Sequence, residues 1–164
     1  MNTRRSPRLL ALATAGTILA LVAATAALAT PPNGETPTPL ARGALVAPAN
    51  FNVQVSGGSV TVKTQGPLDA MVLEITLAPG GTGGWHSHAG PLISIVKSGT
   101  LTIIDANCQR HDVPAGHAVI SPGSTADKTE NKGTTPVTWD VTFLLPHGTT
   151  SPPISKPAPT GCTA

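Results

Sequence analysis

Tyrosine is absent from the 164 residues, and Trp and Phe occur only twice each. A core with so few rings has to be filled by Val, Ile, Leu and Ala. Charge is also scarce, with Asp, Glu, Lys and Arg making up 11% of the chain. There is no basic stripe to follow a phosphate backbone, which argues against a nucleic-acid partner. The 3.6-residue rhythm of a long amphipathic helix is missing, and so is any internal repeat. No nucleotide-binding glycine loop, nucleophile elbow, zinc-finger spacing or His-Glu-x-x-His pattern occurs. Cysteine is limited to Cys108 and Cys162. In an oxidising compartment such a pair favours one disulfide; the alternative is two unpaired thiols, one buried and one in a loose tail.

Glycine and proline, in contrast, are abundant at 17 residues each, and they are scattered as punctuation. The start of the chain has the three parts of a secretory signal. Met1–Arg8 is basic, Leu9–Ala27 is apolar, and Ala27-Leu28-Ala29 is a small-x-small site. Cleavage after Ala29 is expected, which leaves a secreted or otherwise extracytoplasmic protein with no membrane attachment. The alternative is an uncleaved leader acting as an anchor, because an apolar stretch of roughly 20 residues can span a bilayer. Without Arg4, Arg5 and Arg8 the 10 basic residues become 7 against 8 acidic ones, so the formal charge changes from +2 to −1.

The rest divides by composition. Residues 30–40 hold Pro31, Pro32, Pro37 and Pro39 and read as an extended, solvated linker. Residues 149–164 hold Pro152, Pro153, Pro157 and Pro159 and read as a matching tail. The folded domain is expected at 41–148. Within it, alternation with period two dominates. Phe51, Val53 and Val55 alternate with polar residues, and Gly57-Gly58 supplies a tight turn before Val60 and Val62. Met71, Leu73, Ile75 and Leu77 share one face, as do Val137, Trp139, Val141, Phe143 and Leu145. Leu92–Val96 and Leu101–Ile104 are apolar on both faces, as sheet-on-sheet burial requires. About nine strands with turn signals every 8–12 residues make the chain all-β, a sandwich or barrel.

One stretch carries chemistry: Pro79-Gly80-Gly81-Thr82-Gly83-Gly84-Trp85-His86-Ser87-His88-Ala89-Gly90-Pro91. On a strand, His86 and His88 project from the same face, and neutral imidazoles suit Mn, Fe, Zn, Cu or Ni. Gly80, the His-x-His pair and Gly99 resemble the first motif of the cupin superfamily. Pro122-Gly123-Ser124-Thr125-Ala126-Asp127-Lys128-Thr129-Glu130-Asn131 resembles the second motif in its ends and its length. The resemblance covers about Ala70 to Pro146. It implies a jelly-roll barrel of two packed antiparallel sheets with a site in the barrel mouth.

Two of the four residues that usually hold the metal in that family are changed. The glutamate position is Leu92, and the histidine of the second motif is Asp127. The resemblance implies that Asp127 replaces that histidine, giving two imidazoles and one carboxylate, a set that suits iron or manganese. The other reading makes Asp127 a loop cap paired with Lys128 or Lys132. His117 heads the strand His117–Ile120 and is a reserve ligand. His111 and His147 lie beside turns and read as solvated. Glu74 and Asp140 read as surface charges, and Trp85, on the opposite face from His86, reads as covering the barrel.

The sequence therefore points to a small exported barrel that binds a divalent transition metal and a small-molecule ligand or substrate. A non-catalytic binding module with a degenerate metal site is the alternative. Catalysis is left open by the residues, and a homodimer is compatible with them. If the leader is cleaved as read, N-terminal sequencing or intact mass of the exported form finds Thr30 as the first residue. A full-length, membrane-bound product would establish the anchor instead.

Overall fold

The structure is a computed structural model that describes residues 29–150 and 152–163, so the leader residues 1–28 lie outside it. Eleven strands follow one another: β1 (Asn33–Ala44), β2 (Asn50–Val55), β3 (Gly58–Lys63), β4 (Leu68–His88), β5 (Leu92–Ser98), β6 (Thr100–Ile104), β7 (Arg110–Pro114), β8 (Ala118–Ser121), β9 (Asp127–Glu130), β10 (Val137–Pro146) and β11 (Pro153–Ser155). No helix occurs among the described residues. Seven strands are hydrogen-bonded in the order β7-β6-β9-β4-β10-β5-β8, and β1 and β11 add to β4. The sheet curls into a jelly-roll barrel.

The alternation read in the sequence explains which faces are buried. Leu73, Ile75 and Leu77 of β4 meet Val137, Trp139, Val141, Phe143 and Leu145 of β10, with Leu92, Val96, Leu101 and Val113 completing the core. Each fully buried side chain of this kind is worth about 1.5–3 kcal/mol of transfer free energy. Met71 is packed against the cluster but is only partly buried.

At 21 residues, β4 is far longer than an ordinary strand. Its first half pairs with β10 on one side and β1 on the other, from Leu68 to Leu77. Its second half pairs with β9 and β11, so the strand turns a corner and serves both ends of the barrel. The corner lies at Pro79-Gly80-Gly81, where Gly80 has a φ of 70°. Asn131 clamps it. Its N–H bonds Gly81 O at 3.0 Å, and its carbonyl accepts the Gly80 N–H at 2.9 Å. Its Nδ2 donates to Leu77 O at 3.0 Å and to Thr135 O at 2.8 Å. The asparagine that closes the second motif is thus a buried structural residue.

Several readings change. Residues 33–40, expected in a linker, form most of β1, whose register runs Glu35↔Leu77, Pro37↔Ile75 and Pro39↔Leu73. Prolines are tolerated there because β1 is an edge strand, and a register shift follows Pro39. Residues 153–155 of the expected tail are β11. The β2–β3 hairpin turns at Ser56-Gly57, with a φ of 86° at Gly57, while Gly58 already belongs to β3. This hairpin forms a separate two-stranded sheet, so Phe51, Val53, Val55 and Val60 stay exposed. Ile93 and Ile95 are also exposed, so β5 is buried on one face rather than two.

Buried Asp69, at the start of β4, ties this end of the barrel together. It accepts from His147 Nδ1 at 2.7 Å and from Arg42 Nε at 3.0 Å, and Arg42 Nη1 reaches Thr149 O at 2.6 Å. His147, expected to be solvated, is exposed but bonded. The hydrogen bonds from His147 and Arg42 hold the Asp69 carboxyl down at about 2. Because this lies below the unfolded value near 4, the carboxylate's contribution is complete above about pH 4 and is lost as pH falls toward 2. Thermal melts from pH 6 to 2 are expected to show Asp69→Asn less stable than the wild type at pH 6, with the gap closing in acid. A gap that does not change with pH would remove the ion pair as its cause.

Candidate functional site

The second half of β4 delivers the two histidines. Because side chains alternate along a strand, His86 and His88 face the barrel interior and Trp85 and Ser87 face away from it. The imidazoles stand edge to face with centroids 4.8 Å apart, and His88 lies 5.0 Å from the Phe143 ring. His88 is fixed from two sides. Its N–H bonds Gly123 O at 2.6 Å, and a Cβ at Gly123 would collide with Gly90 O and come within 3.2 Å of His88 Cβ. Glycine is required there, with its φ of 76°.

Each ring is also oriented through Nδ1. His86 Nδ1 lies 2.9 Å from Gly84 O and His88 Nδ1 lies 3.0 Å from Pro152 O. A carbonyl can only accept, so Nδ1 carries the proton and a neutral ring keeps its Nε2 lone pair free. Burial, helped by the neighbouring His86, lowers the His88 value to about 4, so this imidazole is neutral at ordinary pH.

Asp127 opens β9 directly opposite His86. Its Oδ1 is 3.7 Å from His86 Nε2, beyond hydrogen-bonding distance. Burial raises its carboxyl value and the nearby His86 opposes the shift. The loop-cap reading does not hold, because Lys128 and Lys132 pair with Glu130, at 3.2 Å each. All three expected ligands line one cavity of about 490 Å³. Its walls include Leu73, Ile75, Leu101, Trp139, Val141 and Phe143, and among the described residues no Lys or Arg lines it. Leu92, at the family's glutamate position, is part of the apolar wall. Among the described residues, no group of three or more His, Cys, Asp or Glu side chains is placed so that it could hold a metal ion as it stands.

The remaining candidates fall elsewhere. His117 is exposed beside Ala115 O and does not reach the cavity, because it sits in the turn before β8. His111 lies at the cavity wall but is held by Asp105 at 3.2 Å. Glu74 and Asp140 are surface charges that share Lys97. Trp85 is buried beneath the tail and donates Nε1–H to Thr163 O at 3.1 Å.

Glu35 and Thr129 also line the cavity, and sequence reasoning missed both. Glu35 was hidden by the prolines around it. The available signal was its isolation, since it is the sole carboxylate before Asp69. Burial raises its carboxyl value, with His86 opposing.

Residues 152–163 form a strap across this site. β11 pairs Pro153 with His88 and Ser155 with His86, and Lys156 N–H bonds Trp85 O at 2.8 Å. The strap is fastened by the Cys108–Cys162 disulfide, whose Cα atoms are 5.3 Å apart across a separation of 54 residues. Loop-closure entropy for that span is about 4 kcal/mol. Replacing both cysteines by serine is expected to cost a substantial part of this in urea unfolding and to red-shift Trp85 emission. An unchanged midpoint and spectrum would show that the strap holds without the bridge.

Residues 73–148 match the family described as the cupin domain. No curated protein matches the chain. Solved structures of similar fold include a cupin domain from Bordetella pertussis Tohama I, at 17% identity and a TM-score of 0.47, over 70% of this chain and 96% of that one. The cupin domain of an XRE family transcriptional regulator from Enterobacter cloacae has 19% identity and a TM-score of 0.41, over 46% and 80%. A predicted oxalate decarboxylase from Thermotoga maritima has 20% identity and a TM-score of 0.42, over 49% and 83%.

Proposed function

From the premise that the chain belongs to the cupin superfamily, we propose that it is an exported small-molecule-binding barrel whose His86, His88 and Asp127 hold a divalent transition metal. The observation that carries this is the paired orientation of the imidazoles. Both Nδ1 atoms face backbone carbonyls, so in the neutral rings both Nε2 lone pairs are left for a ligand. Histidines that bind metals are commonly fixed in this way by their second nitrogen.

The donor set fits such an ion. It offers two neutral nitrogens, a carboxylate on the facing strand and, close by, the buried Thr129 Oγ1, which has no hydrogen-bond partner. Iron or manganese matches two imidazoles and a carboxylate, with zinc, copper and nickel also able to take imidazole. A bound ion would supply Lewis-acid polarisation of a ligand oxygen. The chain itself supplies the rest: an apolar cavity that excludes water and a polar end that orients one group of the ligand. The disulfide is compatible with an oxidising compartment and so supports export.

A second reading, a binding module without metal, is favoured by the absence of a closed three-donor cluster among the described residues. Calorimetric titration of the untagged protein with Mn, Fe, Zn, Cu and Ni separates the two. Under the metal reading His86→Ala and His88→Ala abolish binding, Asp127→Ala weakens it at least about tenfold, and His117→Ala and His147→Ala leave it unchanged. A wild type that binds none of these ions, or a His86→Ala variant with full affinity, would leave the metal-free module.

A further inference from the structure

We propose that Glu35, on β1, is a second carboxylate ligand of this cation site, making it a two-imidazole, two-carboxylate centre. This rests on the metal reading above and assigns it a residue outside both sequence motifs. A Cβ built on Gly83 would strike Thr129 Oγ1, lie 2.7 Å from Glu35 Oε2 and lie 3.5 Å from His86 Cε1. By lacking a side chain, Gly83 leaves a small space on which a carboxylate, a hydroxyl and an imidazole converge. The hydroxyl is buried with no partner, and buried polar groups rarely remain so unless something outside the chain satisfies them.

Charge points the same way. Glu35 and Asp127 are both partly buried, and among the described residues no Lys or Arg lines the cavity beside them. Asp105, the other carboxylate on the wall, is already held by His111 and by the N–H groups of Asn107 and Gln109. Two carboxylates facing a largely apolar cavity are costly unless a positive partner balances them, and a divalent ion can balance both. A singly charged organic cation would leave one of them unbalanced. Leu92 removes the family's glutamate from β5, and Glu35 returns a carboxylate from the opposite edge of the sequence.

The full chain without a polyhistidine tag is titrated with Mn, Zn and Ni as wild type, Glu35→Gln, Glu35→Asp and the surface control Glu74→Gln. Glu35→Gln, which keeps the shape and removes the charge, is expected to weaken binding at least about tenfold. Glu35→Asp recovers part of the affinity, and Glu74→Gln matches the wild type. With Co bound, the visible bands of wild type and Glu35→Gln are expected to differ, because a ligand of the ion has changed. Full affinity and an unchanged Co spectrum in Glu35→Gln, while His86→Ala still abolishes binding, would overturn the role of Glu35 and leave the metal centre standing. Absence of binding in the wild type would overturn both. If circular dichroism shows Glu35→Gln unfolded, the charge-preserving Glu35→Asp decides: wild-type affinity together with a wild-type Co spectrum counts against ligation.

Discussion

Backbone pairing along β4 is the constraint from which the site follows. Residues 68–77 are locked between β10 and β1, and residues 82–88 between β9 and β11. Between them the chain has to change direction without leaving N–H and C=O groups unpaired, since each such buried group costs about 1–3 kcal/mol. Asn131 meets this requirement from the second motif, with both its backbone and its amide. The same contact fixes where β9 ends, and with it the register of the strand. Asp127 therefore arrives across from His86 by register, as a consequence of how the corner is closed.

What could be read in advance depended on whether a property is local. His86 and His88 share a face because strands alternate, which needs no knowledge of the partner strand. The core faces of β4 and β10 were legible for the same reason. Glu35 was not, because its importance comes from pairing with Leu77, more than forty residues away, and its prolines speak for a solvated segment. The β2–β3 hairpin shows the opposite limit. Phe51, Val53 and Val55 have a flawless alternation, yet they stay exposed in a two-stranded sheet separate from the barrel sheet. Alternation reports which side chains could be buried together, and tertiary pairing decides whether they are. The placement of His117 was missed by one residue: its strand starts at Ala118, and the side chain stays outside.

The site owes its electrostatic character to a mostly apolar wall. Leu92 sits where the family has a carboxylate, and the acidic groups on the wall lie instead on β1, on β9 and, as Asp105, just after β6. Neutral His88 results from that same burial, because a ring packed against Phe143 lacks the water that would solvate its charge. The cavity thus has mostly apolar walls and a few fixed polar atoms.

The strap also has a meaning in time. A ribosome makes the chain from one end, so β4, β9 and β10 exist before Pro152 can bond His88 or Cys162 can reach Cys108. Until then His88 lacks the carbonyl that fixes its tautomer, and the Trp85 indole lacks its acceptor at Thr163. The barrel can collapse early, while the cavity's final arrangement waits for the last segment to arrive. A chain interrupted after β10 would keep most of the core and none of the lock, so it would resemble the finished protein in outline before it resembled it around His88 and Trp85.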